Sequence, residues 1–235
     1  MLVAGFQKNS FIDYPGKIAS VVFLGGCNMR CHYCHNSELL KAESNKLDFQ
    51  KEILPQIKEQ LGFIDAVVIS GGEPTMHPYI IQIIKKIKSL GQDLLIKLDT
   101  NGTNPQIVKD LVEKGLVNYI AMDVKTLIQK YDQITGVQYT AFSLEHIQES
   151  VAFIKSQYKV DYMFRTTLSP MLIEEDFHAI AELVHGAKTF QLQQFVPNDF
   201  SNSHKIVGLP YRPEQAEKFA DIVRPHVGEV LLRGF

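Results

Sequence analysis

The sequence reads GGCNMRCHYCHN at residues 25–36, directly after the apolar run ASVVFL at residues 19–24. This stretch holds all three cysteines of the chain, Cys27, Cys31 and Cys34, in the spacing Cys-x3-Cys-x2-Cys. Two glycines introduce the loop after a predicted buried strand. The odd number of cysteines argues against a disulfide framework, and their polar neighbours argue against three simply buried thiols. The loop therefore predicts a site that binds through sulfur.

Three kinds of group suit three thiols at this spacing. A cubane [4Fe–4S] cluster would take three of its usual four protein ligands from the loop, which leaves one iron open to a substrate. A zinc ion would take the cysteines with His32 or His35, but structural zinc usually joins two separated segments and the chain has no second cysteine pair. A c-type haem matches Cys-x-x-Cys-His at residues 31–35, but it requires export and leaves Cys27 unused. We favour the cluster, with zinc and haem as alternatives.

Composition and charge argue against several classes of function. The 235 residues are 45% hydrophobic and 21% charged with a formal net charge of −2, and no basic stripe indicates a nucleic-acid partner. No apolar run approaches the roughly 20 residues needed to span a bilayer, so we expect no membrane partner. The N-terminus lacks the charged and apolar regions of a signal peptide, and free cysteines fit a reducing compartment. We therefore expect a cytoplasmic protein.

Strand-like apolar runs alternate with helical patterns along the chain. A strand followed by a helix recurs six times, which predicts a parallel sheet with right-handed crossovers. Because six units are too few for a closed eight-stranded barrel, the predicted fold is α/β, an open, partial (β/α)6 TIM-like barrel in a single domain. A doubly wound open sheet is the alternative. The predicted strands are residues 19–24, 66–69, 94–98, 119–122, 161–167 and 189–195, and the predicted helices are residues 48–61, 79–90, 105–114, 144–154, 174–184 and 214–223.

The predicted domain covers residues 1–235 in three parts. Residues 1–18 form a β lead-in that ends in a turn containing proline and glycine. Residues 19–196 form the six-strand core. Residues 197–235 add the last helix and a terminal strand at residues 227–232.

Polar motifs follow several of the predicted strands. The carboxyl ends of parallel strands meet at one edge of the sheet, where open α/β folds bind ligands. A glycine pair at such an end lets the backbone approach a ligand closely. Asp99 and Asp123, at the ends of neighbouring strands, would repel each other, so we hypothesise a monovalent cation or Lys125 between them. The candidate residues at the strand ends are Gly71, Gly72, Glu73, Asp99, Thr100, Asn101, Asp123, Val124, Lys125 and Arg165.

With Tyr33 before the last cysteine, the loop reads Cys-x3-Cys-x-Tyr-Cys and resembles that of the radical S-adenosylmethionine (SAM) enzymes. The Gly-Gly-Glu stretch at residues 71–73 resembles the GGE motif of that family. The resemblance implies that the three cysteines ligate a [4Fe–4S] cluster and that the methionine moiety of SAM chelates the open iron. It also implies that Tyr33 and the backbone at His35 lie near the adenine and that the strand-end carboxylates suit the ribose. Glu73 would accept from the methionine ammonium, and Lys125 would pair with the methionine carboxylate.

The N-terminal segment resembles a particular group within that family. GFQK at residues 5–8 and SFIDYPGK at residues 10–17 closely resemble the activating proteins of glycyl-radical enzymes, in particular those of anaerobic ribonucleoside-triphosphate reductase. One departure is Val196, which stands where the pyruvate formate-lyase type commonly has a histidine. The alternatives are a pyruvate formate-lyase-type activating enzyme and a small-molecule enzyme similar to 7-carboxy-7-deazaguanine synthase. A metal-binding electron carrier is the non-enzyme alternative.

This resemblance implies an oxidoreductase with a protein substrate. The reduced cluster would cleave SAM to methionine and a 5′-deoxyadenosyl radical, which takes a hydrogen from a backbone glycine of the glycyl-radical enzyme. Flavodoxin or ferredoxin is the implied reductant. The protein would orient the cofactors and exclude water and oxygen. The lateral gap of a partial barrel would admit a protein loop that a closed barrel excludes.

Overall fold

The computed structural model describes residues 1–91, 93–138, 141–197 and 208–235. An eight-stranded sheet forms its centre, and a short antiparallel pair joins β1 (Leu2–Val3) to β4 (Leu47–Asp48). The strands of the main sheet are β2 (Gly5–Tyr14), β3 (Lys17–Leu24), β5 (Ala66–Gly71), β6 (Leu95–Thr100), β7 (Tyr119–Asp123), β8 (Asp161–Leu168), β9 (Thr189–Gln194) and β10 (Glu229–Arg233).

The order of the strands in space follows their order in the chain. From one edge to the other the sheet runs β10-β9-β8-β7-β6-β5-β3-β2, with parallel pairing from β3 to β10. The first strand, β2, is antiparallel to β3, so the N-terminal segment forms a hairpin at that edge. Since β2 and β10 do not pair with each other, the curled sheet stays open as a half-barrel.

Helices connect the parallel strands. The helices are α1 (Leu54–Glu59), α2 (Ile80–Lys88), α3 (Pro105–Glu113), α4 (Tyr131–Thr135), α5 (Ala141–Lys155), α6 (Glu174–Leu183) and α7 (Pro213–Val223). In α2 the isoleucines recur at helical spacing and all four are buried, as an amphipathic helix on a sheet requires: Ile80, Ile83, Ile84 and Ile87. No helix in these described ranges is both long and apolar enough to cross a membrane.

The two faces of the sheet bury different side chains because successive residues of a strand point in opposite directions. Val22 and Leu24 of β3 belong to the large core that contains the helices, whereas Val21 packs in a small cluster with Tyr14 and Val68. The same alternation on β6 sends Ile96 and Leu98 to the helices. Its intervening residues, 97 and 99, therefore face the inside of the half-barrel.

The predicted fold class is confirmed. All six predicted strands form, and the lead-in hairpin and the predicted terminal strand extend the sheet to eight strands. The doubly wound alternative is wrong, because such a sheet reverses its strand order at a switch point and this one does not. The division at residues 18 and 196 stays a prediction, and residues 198–207 of its last part lie outside the described residues.

Two local features differ from the predicted pattern. The helix predicted at residues 48–61 begins as a π-helical turn at Phe49–Ile53 and continues as α1. Asp48 caps its start by accepting from the amides of Gln50 and Lys51. Pro55, which has no N–H to donate, lies where the π-helical turn changes to α1. The short α4 and the β1–β4 pair were not predicted, because elements of two to five residues are too short to show a period.

Candidate functional site

A cavity of about 440 Å³ opens at the carboxyl ends of the parallel strands. It is lined by all three cysteines and by nearly every residue that the sequence placed in the site. The predicted residues on its wall are Cys27, Cys31, Tyr33, Cys34, His35, Gly71, Gly72, Glu73, Asp99, Thr100, Asn101, Asp123, Lys125 and Arg165. The convergence follows from the parallel topology, which brings the end of every strand to one edge of the sheet.

Val124 is the predicted residue that the structure keeps away from this wall. Its side chain is fully buried in the core. Its amide donates to the carbonyl of Arg165 at 2.9 Å, and its carbonyl accepts from the Thr166 hydroxyl at 2.6 Å. Both backbone groups are thus used in joining β7 to β8, which leaves Val124 a structural role.

The cysteine loop, residues 25–36, is held mainly through its backbone. Asn45 brackets Gly25, accepting from its amide at 2.8 Å and donating to its carbonyl at 3.0 Å. The amide of Arg30 donates to the carbonyl of Thr135 at 2.7 Å, at the end of α4, and the Arg30 guanidinium donates to the carbonyls of Cys27 and Met29. The loop therefore presents its thiols from a fixed backbone.

The three thiols suit a cluster better than a single ion. Burial raises the pKa of Cys27 to about 11 and that of Cys31 to about 12, and Lys125 only partly opposes this, so the metal-free thiols are neutral at pH 7. Within the described residues no three His, Cys, Asp or Glu side chains are arranged to hold one metal ion. Three thiolates on one cavity wall, with no fourth cysteine in the chain, fit three corners of a [4Fe–4S] cluster.

The two glycines at the end of β5, Gly71 and Gly72, let the backbone pack closely against its neighbours. The amide of Gly72 donates to the carbonyl of Leu24, and the amide of Glu73 donates to the carbonyl of Gly26, both at 2.8 Å. A Cβ on Gly72 would come within 2.7 Å of the Gly26 carbonyl carbon, and one on Gly71, where φ is +124°, would come within 2.5 Å of the Leu24 nitrogen. These glycines therefore bring the backbone against the cysteine loop, a role that the sequence alone did not indicate.

Glu73 ties this turn to the next strand end. Its side chain is 1% exposed and accepts from the hydroxyls of Thr75 (2.6 Å) and Thr100 (2.7 Å). It also accepts from the amides of Thr75 (3.1 Å) and Asn101 (2.6 Å). Burial raises the pKa of Glu73, and these hydrogen bonds lower it in part. Three of the bonds fall on Oε1, which leaves Oε2 with capacity for the ligand ammonium that the sequence assigned to it.

Five charged side chains form a connected series of ion pairs, four of them on the cavity wall and Lys97 beneath it; we call them the ion-pair chain: Lys97, Asp99, Arg165, Asp123 and Lys125. Lys97 Nζ lies 2.5 Å from Asp99 Oδ1, and Arg165 Nη1 lies 3.4 Å from the same oxygen. Arg165 Nε donates to Asp123 Oδ1, and Lys125 Nζ lies 2.7 Å from Asp123 Oδ2. The guanidinium thus stands between the two carboxylates, where the sequence suggested a cation or Lys125. The cation itself stays a prediction.

The pKa values within the ion-pair chain follow from its pairing. Burial would raise the pKa of Asp123, but Arg165 and Lys125 together lower it to about 2. Burial would likewise raise the pKa of Asp99, but Arg165 and Lys97 hold it below its usual value. Both carboxylates therefore remain ionised at neutral pH.

Tyr33 and His35 also line the cavity. Tyr33 is 4% exposed, its ring centroid is 5.9 Å from Lys125 Nζ, and its phenolic oxygen has no hydrogen-bond partner among the described residues. A buried, unpartnered hydroxyl beside a cavity suits a polar ligand, because leaving it unsatisfied costs free energy. His35 is exposed, and the partial burial of its ring lowers its pKa.

Four residues that support the site through hydrogen bonds or ion pairs were not predicted from the sequence. Ser70 donates to Asp99 at 3.0 Å, and the hydroxyl of Tyr131 accepts from the amide of Lys125 at 3.1 Å. Asn28 accepts from the Asn101 side chain at 2.9 Å, which links the cysteine loop to the end of β6. The fourth, Lys97, could have been predicted from the sequence. It lies two positions before Asp99 in a buried strand, so its side chain must face the same side as that carboxylate.

The pairing of Asp123 predicts an acid-sensitive contribution to stability. Because its pKa falls from 3.8 to about 2 on folding, it contributes about 2 kcal/mol that is present above pH 4 and is lost as the pH falls towards 2. Urea unfolding should therefore find Asp123→Asn less stable than the wild type by more at pH 6 than at pH 3. Asp161→Asn, at a side chain 76% exposed, is the matched control and should show little change. An equal deficit of Asp123→Asn at both pH values would contradict the assignment.

Comparison with known proteins agrees with this geometry. The family model of the radical SAM superfamily matches residues 21–185. A protein of Methanocaldococcus jannaschii with the name "putative glycyl-radical enzyme activating enzyme" is 34% identical over 238 aligned positions, which cover 99% of this chain and 95% of that protein. The pyruvate formate-lyase-activating enzyme of Staphylococcus epidermidis is 26% identical over 88% of this chain and 85% of that protein.

A likeness in fold extends to more distant proteins. The crystal structure of Streptococcus suis SuiB matches with a TM-score of 0.68 at 14% identity, over 89% of this chain. The chain spans 47% of the length of SuiB, so the likeness concerns the fold of one part of that protein.

Proposed function

The chain belongs to the radical SAM superfamily, and from that premise we propose that it activates an anaerobic ribonucleoside-triphosphate reductase by abstracting hydrogen from a glycine of that enzyme. The observation that carries the proposal is the position of the N-terminal hairpin. Gln7, Ile12 and Asp13 of β2 line the same cavity as the cysteines. The segment that most resembles the reductase-activating proteins is thus part of the wall that a substrate meets.

Family membership fixes the cofactors. The chain is a radical SAM enzyme, an oxidoreductase that uses a [4Fe–4S] cluster and SAM, and it is related to the activating enzymes of glycyl-radical enzymes. The donor set fits these cofactors, because the cavity is lined by three thiols with no fourth cysteine in the chain and by the unpartnered hydroxyl of Tyr33. When bound, the reduced cluster and SAM together supply the reactive species that abstracts hydrogen.

The residues of this chain bind and orient those cofactors. Cys27, Cys31 and Cys34 would hold the cluster on a loop whose backbone is already fixed. Lys125 would offer a positive charge to the carboxylate of SAM, and Glu73 would accept from its ammonium. The buried floor and the fixed loop keep water from the reacting end of the cavity.

The open side of the half-barrel suits a protein segment as substrate. Edge strands β2 and β10 do not pair, so the cavity is not closed laterally. Phe11 and Ile12, both 68% exposed on β2, present apolar surface beside that opening. Exposed apolar surface of this kind is typical of sites that contact another macromolecule. We further propose flavodoxin or ferredoxin as the reductant and a cytoplasmic location, because the cluster needs a low-potential donor and a reducing compartment.

The test is direct detection of the glycyl radical. The cluster-loaded protein, SAM and dithionite are mixed anaerobically with the reductase, and electron paramagnetic resonance should report a glycyl radical with matching release of 5′-deoxyadenosine. A reductase whose radical glycine is replaced by alanine is the control and should give no signal. A radical on pyruvate formate-lyase but not on the reductase would favour the pyruvate formate-lyase type instead. SAM cleavage that requires a small molecule and no protein would favour the deazaguanine-type alternative.

A further inference from the structure

Two carboxylates face one cavity from adjacent strands and need a counter-charge. Asp99 is the penultimate residue of β6 and Asp123 is the last residue of β7, and both side chains are largely withdrawn from water. Like charges held so close in a partly desolvated site destabilise each other unless a cation lies between them. A bound alkali cation is one solution. Cationic side chains of the protein are the other.

Among the described residues, cationic and hydroxyl side chains balance both carboxylates without a bound ion. Asp99 Oδ1 accepts from Lys97 at 2.5 Å and from Arg165 at 3.4 Å, and Oδ2 accepts from Ser70 at 3.0 Å. Asp123 Oδ1 accepts from Arg165, and Oδ2 accepts from Lys125 at 2.7 Å. Each of the four carboxylate oxygens is therefore already bonded to a donor. An alkali cation, which prefers several oxygen ligands at once, would have to displace these donors.

Lys97 is the least expected member of the ion-pair chain. It is 3% exposed and is not among the residues that line the cavity, so it does not reach a ligand there. It lies on the inward face of β6, two positions before Asp99, and its ammonium points up to that carboxylate. Burial lowers the pKa of Lys97, and Asp99 opposes this. A lysine is costly to bury, and its only ion pair among the described residues is with Asp99.

The other charged groups on the walls do not replace this pairing. Glu73 is held by the hydrogen bonds of Thr75, Thr100 and Asn101. Asp13 of β2 accepts through Oδ2 from the hydroxyl of Ser10 at 2.5 Å, and its negative charge also acts on Lys97 and Arg165. The charge balance at the ends of β6 and β7 therefore depends on the ion-pair chain together with Asp13.

We infer that Lys97 and Arg165 take the place of a bound alkali cation, with Lys97 as a positioning residue for Asp99, so that this protein binds SAM without any requirement for a monovalent cation. The inference rests on SAM binding and not on the identity of the protein substrate. It also specifies what Lys97 does: it holds Asp99 in the orientation that leaves Arg165 free to bridge both carboxylates.

The decisive measurement is the dissociation constant of SAM in different salts. Cluster-loaded protein is titrated by calorimetry at constant ionic strength with potassium, sodium or tetramethylammonium as the only cation. Tetramethylammonium is too large to enter between the two carboxylates. The dissociation constants should agree within about twofold. A weakening of about tenfold or more in tetramethylammonium would overturn the inference.

Lys97→Met provides a second test, the cation dependence of SAM binding, which would not change if Lys97 had a purely structural role. Removing the ammonium while keeping a similar volume should weaken SAM binding about tenfold in tetramethylammonium, and sodium or potassium should restore most of the loss. Lys109→Met, which breaks the surface pair between Lys109 and Glu149 far from the cavity, is the matched control and should show no cation effect. A loss in Lys97→Met that is the same in every salt would contradict the replacement of a cation.

The outcomes separate this inference from the proposed function. If Lys97→Met does not fold, the wild-type salt series still decides the question. If SAM binds equally in all salts but no glycyl radical forms on any partner, the inference stands and the proposed function fails. If SAM does not bind in any salt, both are overturned.

Discussion

Replacing Cys31 by serine is expected to remove the cluster and abolish SAM cleavage. The thiol is 7% exposed and lies on the cavity wall with the other two cysteines, and the chain has no fourth cysteine to substitute for it. A serine hydroxyl keeps nearly the same shape but is a poor ligand for iron in a cluster that thiolates normally hold. After anaerobic reconstitution the wild type should contain about four irons per chain and the variant almost none.

His35→Ala is the matched variant for this experiment. In a zinc site built from the three cysteines and His32 or His35, an imidazole would be the fourth ligand, and its loss would cost metal. In the cluster interpretation, the side chain of His35 lines the cavity without holding iron, so the iron content should stay at the wild-type level. Retention of iron in Cys31→Ser, or its loss in His35→Ala, would contradict the assignment of ligands.

The second large effect is expected for Gly72→Ala, which adds a single methyl group. Its Cβ would come within 2.7 Å of the carbonyl carbon of Gly26 and within 3.1 Å of the carbonyl oxygen of Leu39. Because these are backbone atoms, they cannot swing aside, and the turn must separate from the cysteine loop. We expect a loss of about 3 kcal/mol in the free energy of unfolding, at the upper end of the usual cost of overpacking. Iron uptake should fall in parallel, because the loop no longer has its support.

Gly91→Ala is the matched control. Like Gly72, this glycine does not need a left-handed φ, and a Cβ there would meet only the end of the Leu61 side chain at 3.9 Å. Denaturant unfolding should find it within about 0.5 kcal/mol of the wild type, as for most surface substitutions. Equal losses in both variants would show that the helix and turn preferences of alanine, rather than the contact with Gly26, cause the effect.

The sequence was sufficient for the topology and for most of the site because both follow from short-range signals. Buried strands and amphipathic helices have clear periods, and parallel pairing brings strand ends together without any further information. The sequence therefore predicts that Cys27, Glu73 and Lys125 contribute to one pocket. The spacing of the three cysteines was the basis for predicting an iron–sulfur cluster.

Two parts of the site depend on contacts between residues that are far apart in the sequence, which a local sequence pattern cannot predict. The sequence indicated that Asp99 and Asp123 needed a cation, but only the structure places Arg165, 42 positions beyond Asp123, between them. The glycines at residues 71–72 looked suited to a ligand, whereas their Cβ positions are filled by the backbone of the preceding strand and loop. In both cases the deciding contact joins residues far apart in sequence.

The backbone contact between the Gly-Gly turn and the cysteine loop also sets a rule for engineering. A graft of residues 25–36 into another scaffold would carry the three thiols but not the surface against which their backbone rests. Residues 71–73 would have to be moved with them, since Gly72 and Glu73 donate to Leu24 and Gly26 and no side chain replaces those bonds. The smallest portable cluster module in this protein is therefore a pair of adjacent strand ends, and a chimera that exchanges one of them alone should lose its iron.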